Sequence, residues 1–272
     1  GFGLGYSAVN TVGNHIQRLP VAAMPQGKNE VETFIPVARI ADMLLHPGDE
    51  FDYNGKRYRY PDIKMIYWAG GNPFHHHQDL TRLLAGWRKP DTIIAHEWCW
   101  NALAKHADII LPCTTSLERT DIAMSPMDNY FVSMQAAIAP VGDARDDFEI
   151  FRGIAAKMGV ENAYTEGRTA EDWQRWLYDV TKQASAEQGH ELPSYDAFRK
   201  DGWFKLPPPE TVHVMFADFR ADPMANPLAT PSGKIEIFSQ VIDDFDYDDC
   251  APHPCWFAPP EWLGSPDRGS RL

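Results

Sequence analysis

Three adjacent histidines, His75-His76-His77, follow the run Gly70-Gly71-Asn72-Pro73-Phe74. Metal binding suits them poorly, because successive helical residues project about 100° apart and three neighbours cannot readily share one ion. Zinc sites on helices use i, i+3 or i, i+4 spacing, as in H-E-x-x-H, and no such pair is present. Anion binding fits better. A helix starting at the histidines would offer unpaired N–H groups and partial positive charge to a phosphate. Gly70-Gly71 would admit close backbone approach, and the Asn72 amide can donate and accept. The plain structural alternative is polar residues wetting a helix start. Neither a G-x-G-x-x-G fingerprint nor a Walker A lysine accompanies the motif, which disfavours an ordinary nicotinamide or ATP site.

Two further residues carry similar chemistry. Glu97 ends the apolar run "DTIIAHE", where a carboxylate could accept paired bonds from guanine N1–H and N2–H₂ or from a ribose diol. It could equally cap the segment "WNALAKH". Arg119, in "TTSLERT", is a fork-shaped donor suited to a phosphate or a base edge. Its alternative is a surface pair with Glu118 or Asp121. "GFGLG" at residues 1–5 is a weak glycine loop. Ser7, Ser116 and Ser125 lack a G-x-S-x-G elbow, and no cysteine is placed as an activated nucleophile. His106 reads as a packing or capping residue, and Trp98 and Trp100 as core in preference to cofactor stacking.

Groups so scattered meet only if strands and helices deliver them. "IKMIYWAG" (63–70), "DTIIAHE" (91–97) and "ADIILP" (107–112) read as buried strands. Leu80, Leu83, Leu84 and Trp87 mark a helix running from the histidines, and "WNALAKH" a short one. This alternation implies a Rossmann-like parallel sheet flanked by helices, an α/β fold with right-handed crossovers. Ligands on such sheets bind beyond the strands' carboxyl ends, here residues 70–74, 96–98 and 112–119. Elsewhere, "FIPVARIADMLLHPG" predicts a helix stopped by Pro47-Gly48, and Asn54-Gly55 a tight hairpin. Residues 146–159 and 169–189 predict helices. The Pro-rich stretch 203–233 predicts irregular chain, and "GKIEIFS" (233–239) a lone strand. The domain reading is a lead-in over 1–60, an α/β cofactor-binding domain over 61–160, and a helical and irregular extension over 161–272.

The 272 residues are 44% hydrophobic with 12% aromatic, a globular composition. The formal net charge of -13 disfavours sequence-independent nucleic-acid binding, which needs phosphate neutralisation. No apolar run approaches a membrane span of about 20 residues. Cys99, Cys113, Cys250 and Cys255 show no C-x-x-C pair or zinc spacing, and "CAPHPC" is too proline-stiffened to favour a bridge. The chain has no initiator Met, opens in a glycine loop and closes without a terminating element, which reads as a processed chain or, in preference, as a fragment of something longer.

"YWAGGNPFHHHQDLTRL", "HADIILPCTTSLERTDI" and "ATPSGKIEIFS" together resemble the molybdopterin oxidoreductases of the dimethyl sulfoxide reductase family. The S- and N-oxide reductases are the nearest subgroup, biotin sulfoxide and trimethylamine N-oxide reductases above all. The similarity runs through most of the chain. It implies a cofactor of two molybdopterin guanine dinucleotides holding one molybdenum, bis(molybdopterin guanine dinucleotide)molybdenum. It implies too that Asn72, His76, His96, Glu97, Arg119 and Asp147 contact one dinucleotide. A sulfoxide or N-oxide would be the substrate, its oxygen passing to reduced molybdenum, with an unidentified electron donor. The molybdenum ligand and the C-terminal cofactor domain would lie outside this chain, so no catalytic or metal-binding residue is expected within it. The resemblance leaves a bacterial cytoplasmic or periplasmic location open. It departs locally, with "WCWNALAKHAD" replacing a threonine-rich "WTATARHAD" and "LERTDI" replacing "LERNDI". The rival readings are a non-catalytic nucleotide-binding module and a same-superfamily oxidoreductase acting on formate or nitrate.

Overall fold

A computed structural model of the chain describes residues 19–31, 33–124, 129–211, 214 and 216–257. The "GFGLG" loop, Ser7 and Ser125 lie outside the described residues. The chain divides into two compact units, one within residues 1–51 and 58–215, the other within 52–57 and 216–272.

A 3-10 turn over Val37–Arg39 leads into α1 (Ile40–Leu45), which stops at His46-Pro47-Gly48. The strands β1 (Glu50–Tyr53) and β2 (Lys56–Arg59) form the expected hairpin. Asn54 and Gly55 take φ of 51° and 72°, the turn that Asn-Gly accommodates without strain.

The central sheet is the predicted one. β3 (Met65–Ala69), β4 (Thr92–Glu97) and β5 (Ile109–Pro112) pair in parallel in that order. Between β3 and β4 lie α2 (Pro73–His76) and α3 (Leu80–Trp87). α3 buries Leu83 and Trp87 against Leu44 of α1, Phe74 of α2, and Ile93 and Ala95 of β4. The expected unbroken helix from the histidines is divided, because Asp79 adopts φ 42° and accepts from Arg82 N at 3.0 Å as the cap of α3. His75 and His76 therefore finish a four-residue helix. "WNALAKH" yields only a 3-10 turn over Ala104–His106, with Asn101 Oδ1 accepting from Ala104 N at 3.0 Å.

A second, antiparallel sheet was not foreseen. It joins β6 (Asp121–Met124), β7 (Tyr130–Met134) and the short β8 (Trp203–Lys205). Between β7 and β8 run α4 (Asp147–Lys157), α5 (Glu161–Thr165), α6 (Ala170–Glu187) and α7 (Tyr195–Asp201). Thr169 and Asp172 make a reciprocal capping box at the start of α6. Phe131 of β7, Tyr178 of α6, and Tyr195 and Phe198 of α7 share a second core.

In the second unit, the hairpin turn is clasped by Tyr247, whose hydroxyl accepts from Gly55 N at 2.8 Å. Two short helices, α8 (Ala217–Ala221) and α9 (Gln240–Asp243), punctuate irregular chain. "GKIEIFS" is not a strand: no described segment offers it a ladder, and Ile235 and Ile237 are exposed. Cys250 and Cys255 are free thiols. Among the described residues no helix is long and apolar enough to cross a membrane.

Candidate functional site

The carboxyl ends of the parallel strands lie level, because Ala69 pairs with His96 and Glu97 with Pro112. The three loops that follow thus leave the sheet at one edge. A fourth segment joins them: Arg145 N donates to Pro112 O, and Thr114 N to Arg145 O, both at 3.1 Å. This bridge brings Asp146 and Asp147 to the same edge at the start of α4.

On the first loop, Asn72 caps α2, its Oδ1 accepting from Phe74 N at 3.0 Å. Asn72 is 9% exposed, and its Nδ2 has no acceptor. Gly70 and Gly71 take φ of 86° and 70°, and a Cβ added to Gly70 would meet nothing within 4 Å. The exposed His76 folds back over this turn, with Nε2 at 3.6 Å from where a Gly71 Cβ would sit. The phosphate argument from a helix beginning at the histidines does not hold, since they end α2. Half-buried His77 has its pKa lowered, first by burial and then by His76. Among the described residues no group of three His, Cys, Asp or Glu side chains is placed to hold a metal ion.

On the second loop, Glu97 is 6% exposed, and its carboxylate accepts no hydrogen bond from any described residue. Its capping alternative falls, because Asn101 takes that role. His96 is fully engaged. Its Nδ1 lies 2.6 Å from Asp147 Oδ1, and its Nε2 2.7 Å from the Tyr67 hydroxyl. A carboxylate only accepts, so Nδ1 carries the proton and Nε2 accepts from Tyr67 in the neutral ring. Burial, then the Asp147 charge, raises the Tyr67 pKa and keeps that hydroxyl protonated. Trp98 and Trp100, expected in the core, are 66% and 73% exposed. They leave the sheet at its open end, where no described element covers them.

The third loop is tied down by Glu118, which accepts from Thr115 N, Thr115 Oγ1 and Val141 N, each at 2.7 Å. Arg119 adopts the surface pairing with Asp121, Nε to Oδ2 at 3.3 Å, while Nη1 donates to Thr114 O at 3.4 Å. Cys113 lies among the charged groups. Its pKa is pushed up to about 11 by burial first, then by Asp147 and Glu97, with Arg119 opposing. Such a thiol is no nucleophile at neutral pH. Glu97, Arg119 and Asp147, which come from three separate segments, thus share one electrostatic neighbourhood around Cys113.

Sequence reasoning missed Tyr67. Strand alternation could have found it, since Tyr67 shares a face with Ala69, the residue paired to His96. Among the described residues, the Asn72 donors without an acceptor, the Glu97 carboxylate without a donor and the open backbone at Gly70 fit a large polar ligand that brings acceptors and donors of its own.

Residues 4–157 match the sequence pattern of the molybdopterin oxidoreductases. The chain is 44% identical over 270 residues to a biotin sulfoxide reductase of Cereibacter sphaeroides, covering 99% of this chain and 36% of that protein. It is 44% identical over 235 residues to a dimethyl sulfoxide/trimethylamine N-oxide reductase of Rhodobacter capsulatus, covering 85% and 29%. With a trimethylamine-N-oxide reductase of Haemophilus influenzae it shares 41% over 285 residues, covering 97% and 34%. The chain spans about a third of the length of these relatives. The matched residues take in β3 to β5, their loops and Asp147, and on that match the chain belongs to the molybdopterin oxidoreductase family.

Proposed function

We propose that the chain is the central portion of a molybdenum S- or N-oxide reductase and holds one molybdopterin guanine dinucleotide at the ends of β3, β4 and β5. The family carries a molybdenum–molybdopterin cofactor. The guanine dinucleotide form, and a second dinucleotide held elsewhere in the full-length protein, are part of this proposal. When bound, the cofactor supplies two-electron oxygen-atom transfer, by which a sulfoxide or N-oxide is reduced. The similarity to sulfoxide and N-oxide reductases supports that substrate class over formate or nitrate.

The observation that carries the reading is Glu97, a buried carboxylate without a described donor at the strand ends. A guanine edge or a ribose diol would supply two donors to it. Asn72 offers its free amide N–H groups to phosphate oxygens, and Gly70 lets the backbone come near them. His76 and Arg119 border the same ligand as donors. Asp147 is held in place by His96, whose side chain acts through that carboxylate because both of its nitrogens are already bonded.

The test is made on the full-length protein. Wild type should release guanine nucleotide on denaturation and contain molybdenum, which a bare nucleotide-binding module would lack. Glu97→Ala lowers both contents per polypeptide about tenfold or more, matching roughly 1.5–3 kcal/mol for charge-assisted hydrogen bonds. Full loading with full turnover in that variant would sink the assignment.

A further inference from the structure

Beside the strand ends lies a cavity of about 250 Å³ whose lining includes Arg119, Asp121, Asp146 and Asp147 and, from α6, Trp173 and Gln174. The family match ends at residue 157, before α6 begins, so neither it nor the strand-end geometry bears on these last two residues. Both carry an unspent polar atom. Trp173 is 4% exposed, and its indole N–H finds no acceptor. Gln174 donates through Nε2 to Thr120 O at 2.9 Å, which fixes the amide's orientation, and its buried Oε1 finds no donor.

The Trp173 ring is otherwise well held. The Arg168 guanidinium lies 4.4 Å over its centroid, and Trp176 meets it edge-on at 5.4 Å. Packing thus accounts for the ring and leaves the N–H unexplained. Buried polar groups in folded proteins are nearly always paired, so a donor and an acceptor left over on neighbouring residues of one cavity call for a shared partner. A guanine base presents both complements along its edges: N7 and O6 accept, while its ring and exocyclic N–H groups donate.

We infer that Trp173 and Gln174 form a second wall of the nucleotide site and receive the base, Trp173 donating to it and Gln174 accepting from it. This deepens the reading above and rests on it. It also decides between the two roles open to Glu97: with the base against α6, the Glu97 carboxylate takes the ribose diol.

Two substitutions in the full-length protein test this. Trp173→Phe keeps an aromatic ring under Arg168 and removes the N–H. Gln174→Met keeps the length and removes the amide. The readouts are guanine nucleotide and molybdenum per polypeptide, with the thermal midpoint of cofactor-free protein as a control on folding. The inference expects nucleotide content to fall at least fivefold in each variant, while the cofactor-free protein stays folded with a midpoint lowered only by the smaller ring at Trp173 or by the lost Gln174 bond to Thr120 O. Wild-type nucleotide content in a folded variant overturns it, because then the orphaned atoms are structural only. If one variant fails to fold, the other decides. Wild type that releases no guanine nucleotide refutes the nucleotide reading itself. Loss in Glu97→Ala without loss in the α6 variants refutes only this inference.

Discussion

At the scale of single residues, the site is a set of groups that differ in how much of their bonding is already satisfied. His96 has no free nitrogen, while Glu97, its neighbour on β4, accepts no hydrogen bond from a described residue. Tyr67→Phe removes one hydrogen bond and leaves His96 Nε2 without its donor, which should cost about 1–3 kcal/mol of stability. Thermal unfolding of the full-length protein measures it. Glu118 gives a pH signature. Three hydrogen bonds from Thr115 and Val141, with the Thr115 backbone foremost, hold its carboxyl below the usual carboxylate range. A folded pKa lowered in this way stabilises the protein above the unfolded value of about 4.3. That stability is lost as pH falls from there through the folded pKa. Glu118→Gln should flatten this part of the stability–pH curve, and an unchanged acid limb would refute the assignment. The places of Asn72 in a turn and of Glu97 at a strand end were legible in the sequence because both are local features. The engagement of His96 was not, since its partners lie 29 and 51 residues away.

At the scale of elements, legibility followed apolar patterning and not the reach of the pairing. The three parallel strands announced themselves as apolar runs between helical stretches, and their level ends gave the site its place. The break between α2 and α3 hung on one aspartate adopting a left-handed conformation, which apolar spacing does not report. In the antiparallel sheet β8 is hidden because it is three residues long and pairs with β7 across all of α4 to α7, and β6 and β7 because they are short and mix polar with apolar residues. "GKIEIFS" erred in the opposite sense: its alternation is strand-like, but a strand needs a neighbour. The contact of α1 with α3 carries its own prediction. A Cβ on Gly86 of α3 would approach Leu44 Cβ to 3.0 Å and Ala41 O to 3.4 Å. Gly86→Ala should therefore push the helices apart and cost about 1–3 kcal/mol, despite the better helix propensity of alanine. A thermal midpoint at or above wild type would show that α1 can yield.

At the scale of the molecule, the first unit has two cores, one under the parallel sheet and one against the antiparallel sheet, with α6 in the second through Tyr178. If the ligand touched only the strand ends, its binding would depend on the first core alone. If α6 supplies a wall, both cores hold the site. Leu83 of the first core and Phe198 of the second are both fully buried, and Phe198 stacks on Tyr178 at 4.9 Å. Leu83→Ala should cost about 2–5 kcal/mol and Phe198→Ala about 3–5 kcal/mol in the cofactor-free protein. A ligand that binds only the folded state raises the midpoint by an amount set by its affinity, so loaded and cofactor-free midpoints can be compared in each variant. Leu83→Ala should shrink the gap between them under either arrangement. Phe198→Ala should shrink it only if α6 bears on the ligand. A gap equal to wild type in Phe198→Ala, with both midpoints lowered together, would confine the site to the parallel sheet and remove α6 from it.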